Sequence, residues 1–250
     1  MLSKNKIKHI LSLSRRKERD ATLLFVAEGN KMAADLLPLF RCQTLIVTEE
    51  FRKTLSACPA EEIIITTKEE IKKASQLSTP QSALAVFYQP AYELDATSLK
   101  NKFSLMLDTI QDPGNLGTII RIADWFGIED IICSKETVDV YNPKTIQATM
   151  GAIGRVRVYY CDLGKFIDDI PDIPLFGTFL EGDNIYKTPL PENGILIMGN
   201  EGNGISHELA SRVNHKLFIP NFPVKRETSE SLNVAMATAI ACSEFRRRTL

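Results

Sequence analysis

Apolar residues in the first ninety positions of the chain recur at two spacings, one helical and one extended. Ile7 and Ile10 begin a stretch of roughly helical spacing. The runs expected to form strands, with the β-branched ones buried, are TLLFVAEG, QTLIVT, EEIIITT and SALAVFYQP. Two further stretches predict helices, and one of them begins with Thr67 and Glu70 at the spacing of a capping box. Strands that alternate with helices predict a small α/β domain over residues 1–90.

A polar, aperiodic stretch over residues 91–102 is typical of a linker. The alternation of strands and helices resumes at Phe103 and continues to the end of the chain. The runs expected to form strands are FSLMLDTI, EDIICS, RVRVYYCD, PLFGTFLEG, GILIMGN and HKLFIP. Helical stretches separate most of them, so residues 103–250 predict an α/β domain with a doubly wound parallel sheet and helices on both faces.

Three loops of the second domain carry candidate chemistry, because open α/β sheets bind ligands at the carboxyl ends of their strands. The first loop is DTIQDPGNLGTIIR, in which Asn115 lies at a helix entrance and Arg121 follows nearly two turns later. Taken alone, Asn115 could be a helix N-cap and Arg121 a surface charge. A ligand-binding role and a purely structural role both fit this loop.

The second loop, MGNEGNGIS, is rich in glycine but matches neither standard nucleotide-binding motif. Ile205 stands where a P-loop needs its lysine, and the close pair of glycines comes last instead of first. Gly199 would allow a ligand to approach the backbone, and Gly202 and Gly204 would permit positive φ. Glu201 would repel a phosphate, so the loop favours a cationic ligand or one rich in hydrogen-bond donors.

The third loop, FIPNFPVKRETSESLNVAMA, leads into the last predicted helix. Ser231 and Asn233 stand where that helix begins, and its first backbone N–H groups need partners. Ser231 could be a plain N-cap with no other role.

Composition and charge narrow the class of protein. The hydrophobic fraction is 44% and the charged fraction 24%, as in ordinary globular proteins. The net charge is −1, but both termini are locally basic, and such patches can bind phosphates as well as remain solvated. The five cysteines form no C-x-x-C pair, and the three histidines have no metal-ligand spacing. We therefore expect no metal, no membrane span, no secretory signal and a cytoplasmic location.

In combination the three loops are far more specific than any one of them. The order N-x-G-x-x-x-R, then G-x-E-x-x-G, then I-P followed by S-L-N-V resembles the SpoU/TrmH family of SPOUT-class RNA methyltransferases. The resemblance covers residues 103–250. More weakly, FVAEG and the first ninety residues resemble the RNA-binding extension of that family. The resemblance implies transfer of a methyl group from S-adenosylmethionine to a ribose 2′-hydroxyl of RNA, a homodimer, and a deep C-terminal trefoil knot.

The resemblance also implies roles for individual residues. The family's functional side chains correspond to Arg121, Asn115, Glu201, Ser231 and Asn233. Its cofactor contacts are mainly backbone groups, which correspond to Gly199, Ile219 and Leu232. An arginine stays protonated in proteins, so we expect Arg121 to bind the target phosphate and stabilise alkoxide charge rather than act as a base. Glu201 would then orient Arg121 or loop amides.

One departure from the family pattern leaves alternatives open. The third loop is longer than usual, with Asn221 in place of a methionine, and Lys225 and Arg226 lie within the extension. A catalytically silent RNA-binding protein with the same fold is therefore an alternative, which calorimetry with S-adenosylmethionine would distinguish. A nucleotide-binding enzyme of another class, such as an oxidoreductase, is disfavoured by the glycine spacing. The N-terminal extension favours ribosomal RNA over transfer RNA.

Overall fold

A computed structural model describes residues 1–223 and 231–247. Lys225 and Arg226, which lie in the extension of the third loop, fall outside the described residues. Contacts group the chain into two compact units. The first consists of Met1–Ala91 with Asp139–Gly154, and the second of Tyr92–Val138 with Arg155–Leu250. A segment from the predicted second domain thus packs within the first unit.

The first unit is a mixed four-stranded sheet with short helices. Its first five helices are α1 (Lys4–Ser12), α2 (Arg16–Thr22), α3 (Asn30–Leu36), α4 (Glu49–Arg52) and α5 (Lys68–Ala74). Its strands are β1 (Leu24–Glu28), β2 (Cys42–Val47), β3 (Ala60–Ile65) and β4 (Ala83–Tyr88), in the order β1-β4-β2-β3. Thr67 caps α5 by accepting a hydrogen bond from the Glu70 backbone, as the predicted capping box requires, but the Glu70 carboxylate accepts from the Leu2 backbone and Lys73 instead of completing the box. The expectation that EEIIITT is a buried strand was wrong, because β3 is an edge strand with Ile65 49% exposed.

The second unit contains a seven-stranded sheet and begins with β5 (Phe103–Leu107), α6 (Pro113–Trp125) and β6 (Asp130–Ser134). The chain next forms α7 (Pro143–Thr149), which belongs to the first unit. The second unit continues with β7 (Arg157–Cys161), α8 (Leu163–Asp168), β8 (Leu175–Phe179), β9 (Asp183–Asn184), β10 (Gly194–Met198), α9 (His207–Ala210), β11 (His215–Phe218) and α10 (Val234–Arg247). Residues 92–102 of the polar stretch also lie in this unit, where Leu99 is fully buried.

The large sheet has the order β7-β6-β5-β10-β8-β11-β9, and every pair of neighbouring strands is parallel. This confirms the predicted α/β fold with a doubly wound parallel sheet. The strands are apolar on both faces, since Met106 and Ile197 are buried on one face and Leu105 and Leu196 are buried on the other. From β5 the chain progresses outward to β6 and β7, whereas β10 lies on the other side of β5. The boundary between β5 and β10 is therefore a topological switch point, where such sheets bind ligands.

Specific contacts hold the segment around α7 in the first unit. The rings of Phe25 in β1 and Tyr141 lie 4.9 Å apart between centroids. Arg19, whose side chain is 2% exposed, donates from Nε to Asp139 Oδ2 at 2.9 Å and from Nη1 to the carbonyls of Leu13 and Ser14. A buried arginine needs such a set of acceptors, so Arg19 is a structural residue of this unit.

Candidate active site

The first two candidate loops leave adjacent strands at the switch point. β5 and β10 pair in register, with Leu107 opposite Met198. The Asp108 backbone continues this pairing by donating to the Met198 carbonyl at 2.9 Å. The Asp108 carboxylate accepts a hydrogen bond from the Ser206 backbone at 2.7 Å, which ties the far end of the glycine loop to β5. The two loops are thus held as one unit at the edge of the sheet.

One interpretation of the sequence was that Asn115 is the N-cap of α6, and the structure shows that it is not. Asp112 is the cap, and its Oδ1 accepts from the Asn115 backbone at 2.7 Å. The Asn115 side chain is therefore available for contacts beyond its own helix. Its Nδ2 donates to Glu201 Oε1 at 2.5 Å, and its Oδ1 accepts from Asn233 Nδ2 at 3.0 Å.

Asn233 connects the third loop to this pair. It precedes α10, and its Oδ1 accepts from the backbone of Ala235 at 3.0 Å and of Met236 at 3.3 Å. Asn233, and not Ser231, therefore caps the last helix. Because its amide also donates to Asn115, one hydrogen-bonded chain runs from Glu201 through Asn115 to Asn233. This chain joins all three loops that the sequence singles out.

The glycine loop closes on itself, and this explains two of its three glycines. Asn200 and Gly204 exchange backbone hydrogen bonds of 2.9 Å in both directions. Gly204 has φ of +67°, as predicted, whereas Gly202 is not among the residues with positive φ. A Cβ on Gly199 would lie 2.1 Å from the Gly204 carbonyl carbon. Gly199 is therefore required by the packing of its own loop and not only by the approach of a ligand.

Asn200 is a site residue that the sequence analysis missed. Its Oδ1 accepts from the backbones of Gly202 at 2.9 Å and Asn203 at 3.2 Å. Its Nδ2 donates to the carbonyl of Thr109, a residue with φ of 59°. Asn200 thus shapes the glycine loop and fixes it to the loop after β5. The signal in the sequence is weak, because asparagine is common in any glycine-rich turn.

Arg121 lies on the exposed side of α6, and among residues 1–223 and 231–247 nothing accepts a hydrogen bond from its guanidinium. Of the two roles expected for Glu201, to orient Arg121 or loop amides, the first is not observed, since Glu201 accepts from the Asn115 side chain instead. Ser231 is also exposed, and Leu232 is 49% exposed. Ile219 is partly buried and directly follows β11. The residues described include no group of three or more His, Cys, Asp or Glu that could hold a metal, and no helix long and apolar enough to cross a bilayer.

Comparisons with known proteins agree with this geometry. The sequence profile of the SpoU rRNA methylase family matches residues 102–243, and that of an MRM3-like substrate binding domain matches residues 4–85. The chain is 30% identical over 245 residues to the 23S rRNA guanosine 2′-O-methyltransferase RlmP of Bacillus subtilis, covering 96% of each chain.

Solved structures give the same result. A protein of the TrmH family from Porphyromonas gingivalis superposes with a TM-score of 0.90 at 40% identity, covering 99% of each chain. An AdoMet-bound rRNA methyltransferase from Sinorhizobium meliloti gives 0.85 at 29% identity, over 100% of this chain and 97% of that one. The resemblance noted from the three loops is confirmed, and the chain belongs to the SpoU rRNA methylase family.

Proposed function

We propose that this protein transfers a methyl group from S-adenosylmethionine to a ribose 2′-hydroxyl of ribosomal RNA. The observation that carries the proposal is the hydrogen-bonded chain Glu201–Asn115–Asn233 at the switch point of the sheet. It joins three loops in which Arg121 keeps an exposed guanidinium with no protein partner among the described residues. An ordered polar network and an unpaired cation, joined by the helix that carries both Asn115 and Arg121, suit a reaction that develops negative charge on an oxygen.

The carboxyl edge of the sheet fits the proposed cofactor. Parallel strands end at the same edge, so Gly199 after β10 and Ile219 after β11 would present backbone groups to one ligand. Large apolar side chains remain exposed on neighbouring segments, with Leu180 at 68% and Leu232 at 49%. These suit the adenosine and methionine parts, and the Glu201 carboxylate suits a cationic sulfonium. When bound, S-adenosylmethionine supplies the methyl group.

The side chains near this edge would position the RNA. Arg121 has a planar fork of donors that can grip a phosphate and stabilise charge on the reacting ribose oxygen. Asn115 cannot turn freely, because both ends of its amide are hydrogen-bonded. It would therefore hold Glu201 and Asn233 at fixed positions around the ribose. Ser231 is exposed next to this chain, and we assign it to contact with the RNA.

The first unit would supply affinity for RNA rather than chemistry. It contains the stretch that matches an MRM3-like substrate binding domain. Ribosomal RNA is the proposed substrate because RlmP and the Sinorhizobium meliloti protein are both described as rRNA methyltransferases. We further propose that the reaction takes place in the cytoplasm.

A homodimer and a C-terminal trefoil knot complete the proposal. Trp125 at the end of α6 is 84% exposed, and Met236 on α10 is 59% exposed. Exposed apolar side chains of this size mark interaction surfaces. Trp125 lies one turn from Arg121 on α6, so a partner subunit at Trp125 would also border the reaction site. Since Trp125 is the only tryptophan of the chain, its fluorescence would report dimer formation on dilution.

Two measurements on the full-length protein test the function. Calorimetry should detect one S-adenosylmethionine per chain. Incubation with tritiated cofactor and unmodified 23S rRNA transcript should label the RNA, and ribose-methylation mapping should find a single 2′-O-methyl nucleotide. Cofactor binding without labelling of any ribosomal RNA would contradict the substrate. RNA binding without cofactor binding would instead identify the catalytically silent alternative.

A further inference from the structure

The first unit contains a cleft that the proposed methyl transfer does not use. It has a volume of about 400 Å³ and lies among β1, the turn after α5, and α7. Its apolar walls include Val26, Leu77 and Ile146. Its polar side chains include Gln76, Lys144 and Gln147. The volume lies at the lower end of the range for small-molecule sites, which is large enough for one nucleotide.

Glu28, which belongs to the FVAEG stretch, also lines this cleft and fixes one of its walls. It is 7% exposed, and burial raises the pKa of its carboxyl group. The carboxylate accepts hydrogen bonds from the Ser75 hydroxyl and from the Gln76 backbone, the latter at 2.9 Å. These contacts hold the turn that carries Gln76 against β1. The cleft is therefore a built feature of the unit rather than a gap between mobile loops.

Three polar side chains of the cleft are available to bind a ligand. The side-chain amides of Gln76 and Gln147 and the ammonium of Lys144 make no hydrogen bond to any residue that the structure describes. A glutamine amide offers one acceptor and two donors in a plane, which is the pattern that matches the edge of a base. Lysine offers a compact positive charge that suits a phosphate.

We propose that this cleft binds one unpaired nucleotide of the RNA substrate. The base would lie between the apolar walls with its edge toward Gln76 and Gln147, and its phosphate would lie near Lys144. RNA is recognised chiefly through bases splayed out of loops and bulges, which enter such clefts singly. The inference rests on the proposed function, because it takes RNA as the ligand of the protein. A free mononucleotide has the same chemistry, and the test below distinguishes it from a nucleotide of the RNA.

The test fills the cleft in the full-length protein. Ala148 lines the cleft and is partly buried, so Ala148→Phe would occupy it, while Ala148→Ser adds a single oxygen atom and is the matched control. We expect Ala148→Phe to weaken binding of a 23S rRNA transcript at least tenfold in fluorescence anisotropy. Ala148→Ser should stay within twofold of wild type, and calorimetry should give unchanged affinity for S-adenosylmethionine in both variants.

A second substitution keeps the test decisive if the phenylalanine variant does not fold. Gln147→Leu preserves the volume of the side chain and removes its capacity to hydrogen-bond a ligand, so it should weaken RNA binding about fivefold to tenfold.

RNA affinity within twofold of wild type in a folded cleft variant would overturn the proposal. If the four nucleoside 5′-monophosphates bind the wild type and lose binding in the variants while RNA binding does not change, the cleft serves a free nucleotide and the proposal is also overturned. A wild type that methylates no RNA would refute the proposed function instead.

Discussion

The basic residues in and between α1 and α2 and the single arginine of α6 both suggest RNA contacts in the sequence, but they have different surroundings. Lys6 contacts Glu62 at 2.5 Å, Arg15 contacts Glu18 at 3.3 Å, and Arg16 contacts Asp20 at 3.7 Å. Arg19 is buried against Asp139. Arg121, by contrast, has no acid within ion-pair distance among the described residues.

For phosphate binding, whether a cation is already paired with an acid matters more than how many basic residues a segment carries. A cation that already has an acidic partner contributes less to a phosphate site than an unpaired one, because binding must compete with the existing ion pair. The same holds at the C-terminus, where Arg246 donates to the Phe126 carbonyl at 2.9 Å and Arg247 contacts Glu244 at 2.8 Å. The third arginine of that run, Arg248, lies outside the described residues.

The largest expected effect concerns Arg121. Arg121→Ala should lower single-turnover methyl transfer by about 10²–10⁴-fold, the range for groups that stabilise charge in a transition state. Affinity for S-adenosylmethionine should stay the same, because the proposed cofactor contacts are backbone groups. Arg155→Ala is the matched control. Arg155 already pairs with Asp124, which lies on the same helix as Arg121, so this variant should retain wild-type turnover.

Arg121→Lys sharpens the same experiment. Lysine keeps the charge but loses the planar fork of donors. Near-alanine rates would show that the fork is required, and near-wild-type rates would show that charge suffices. Wild-type rates in both the alanine and the lysine variants would refute a catalytic role for this residue.

The next effect concerns stability and contrasts two arginines of α2. Arg19→Met should lower the free energy of unfolding by about 3–5 kcal/mol, because it leaves Asp139 without its partner in a buried setting. Arg16→Met should cost below about 1 kcal/mol, because its ion pair with Asp20 is exposed. Urea unfolding of the three proteins measures both values. Similar losses in the two variants would contradict the structural assignment of Arg19.

A smaller effect distinguishes the glycines of the second loop. Gly199→Ala should weaken S-adenosylmethionine binding about 5-fold to 150-fold, because overpacking by one methyl group costs about 1–3 kcal/mol. Gly202→Ala should change it less than threefold, since a Cβ there meets nothing nearer than 3.5 Å. Calorimetry on both variants decides the matter. An equal response would show that the packing inside the loop does not control the cofactor site.

The smallest effect tests the basic helices directly. Lys4, Lys8 and Lys17 have no ion-pair partner among the described residues, in contrast to Arg15 and Arg16. Replacing the three lysines by alanine should reduce the slope of log affinity against log salt by up to about 2 for an RNA transcript. Arg15→Ala with Arg16→Ala should change the slope by less than half as much. A larger change of slope in the arginine double variant than in the lysine triple variant would contradict the claim that unpaired cations dominate RNA binding.

The sequence predicted the order of strands and helices well, because the alternation of apolar runs is strong in a parallel sheet. It also predicted the three loops at one edge, since motif order fixes which strand each loop follows. It could not predict that Asp112 caps α6 and releases Asn115, because both residue types are good caps. It could not predict the partner of Glu201 either, since that contact joins residues 86 positions apart.

The division into units was the hardest feature to foresee. Residues 139–154 lie between two strands of the large sheet along the chain, and nothing in their composition distinguishes them from the rest of that stretch. Their place in the first unit depends on long-range contacts such as that between Phe25 and Tyr141. The short strand β9 was also missed, because a two-residue strand carries no periodicity.

The position of residues 139–154 has a consequence for how the protein is made. A ribosome synthesises the chain from its N-terminus at about 5–20 residues per second, and domains generally fold as units while synthesis proceeds. The first unit cannot be completed when residue 91 emerges, because Arg19 still lacks Asp139 and β1 still lacks α7. The nascent chain must carry this unfinished unit through all of β5, α6 and β6. The protein thus closes its first unit only after almost two thirds of the chain exists.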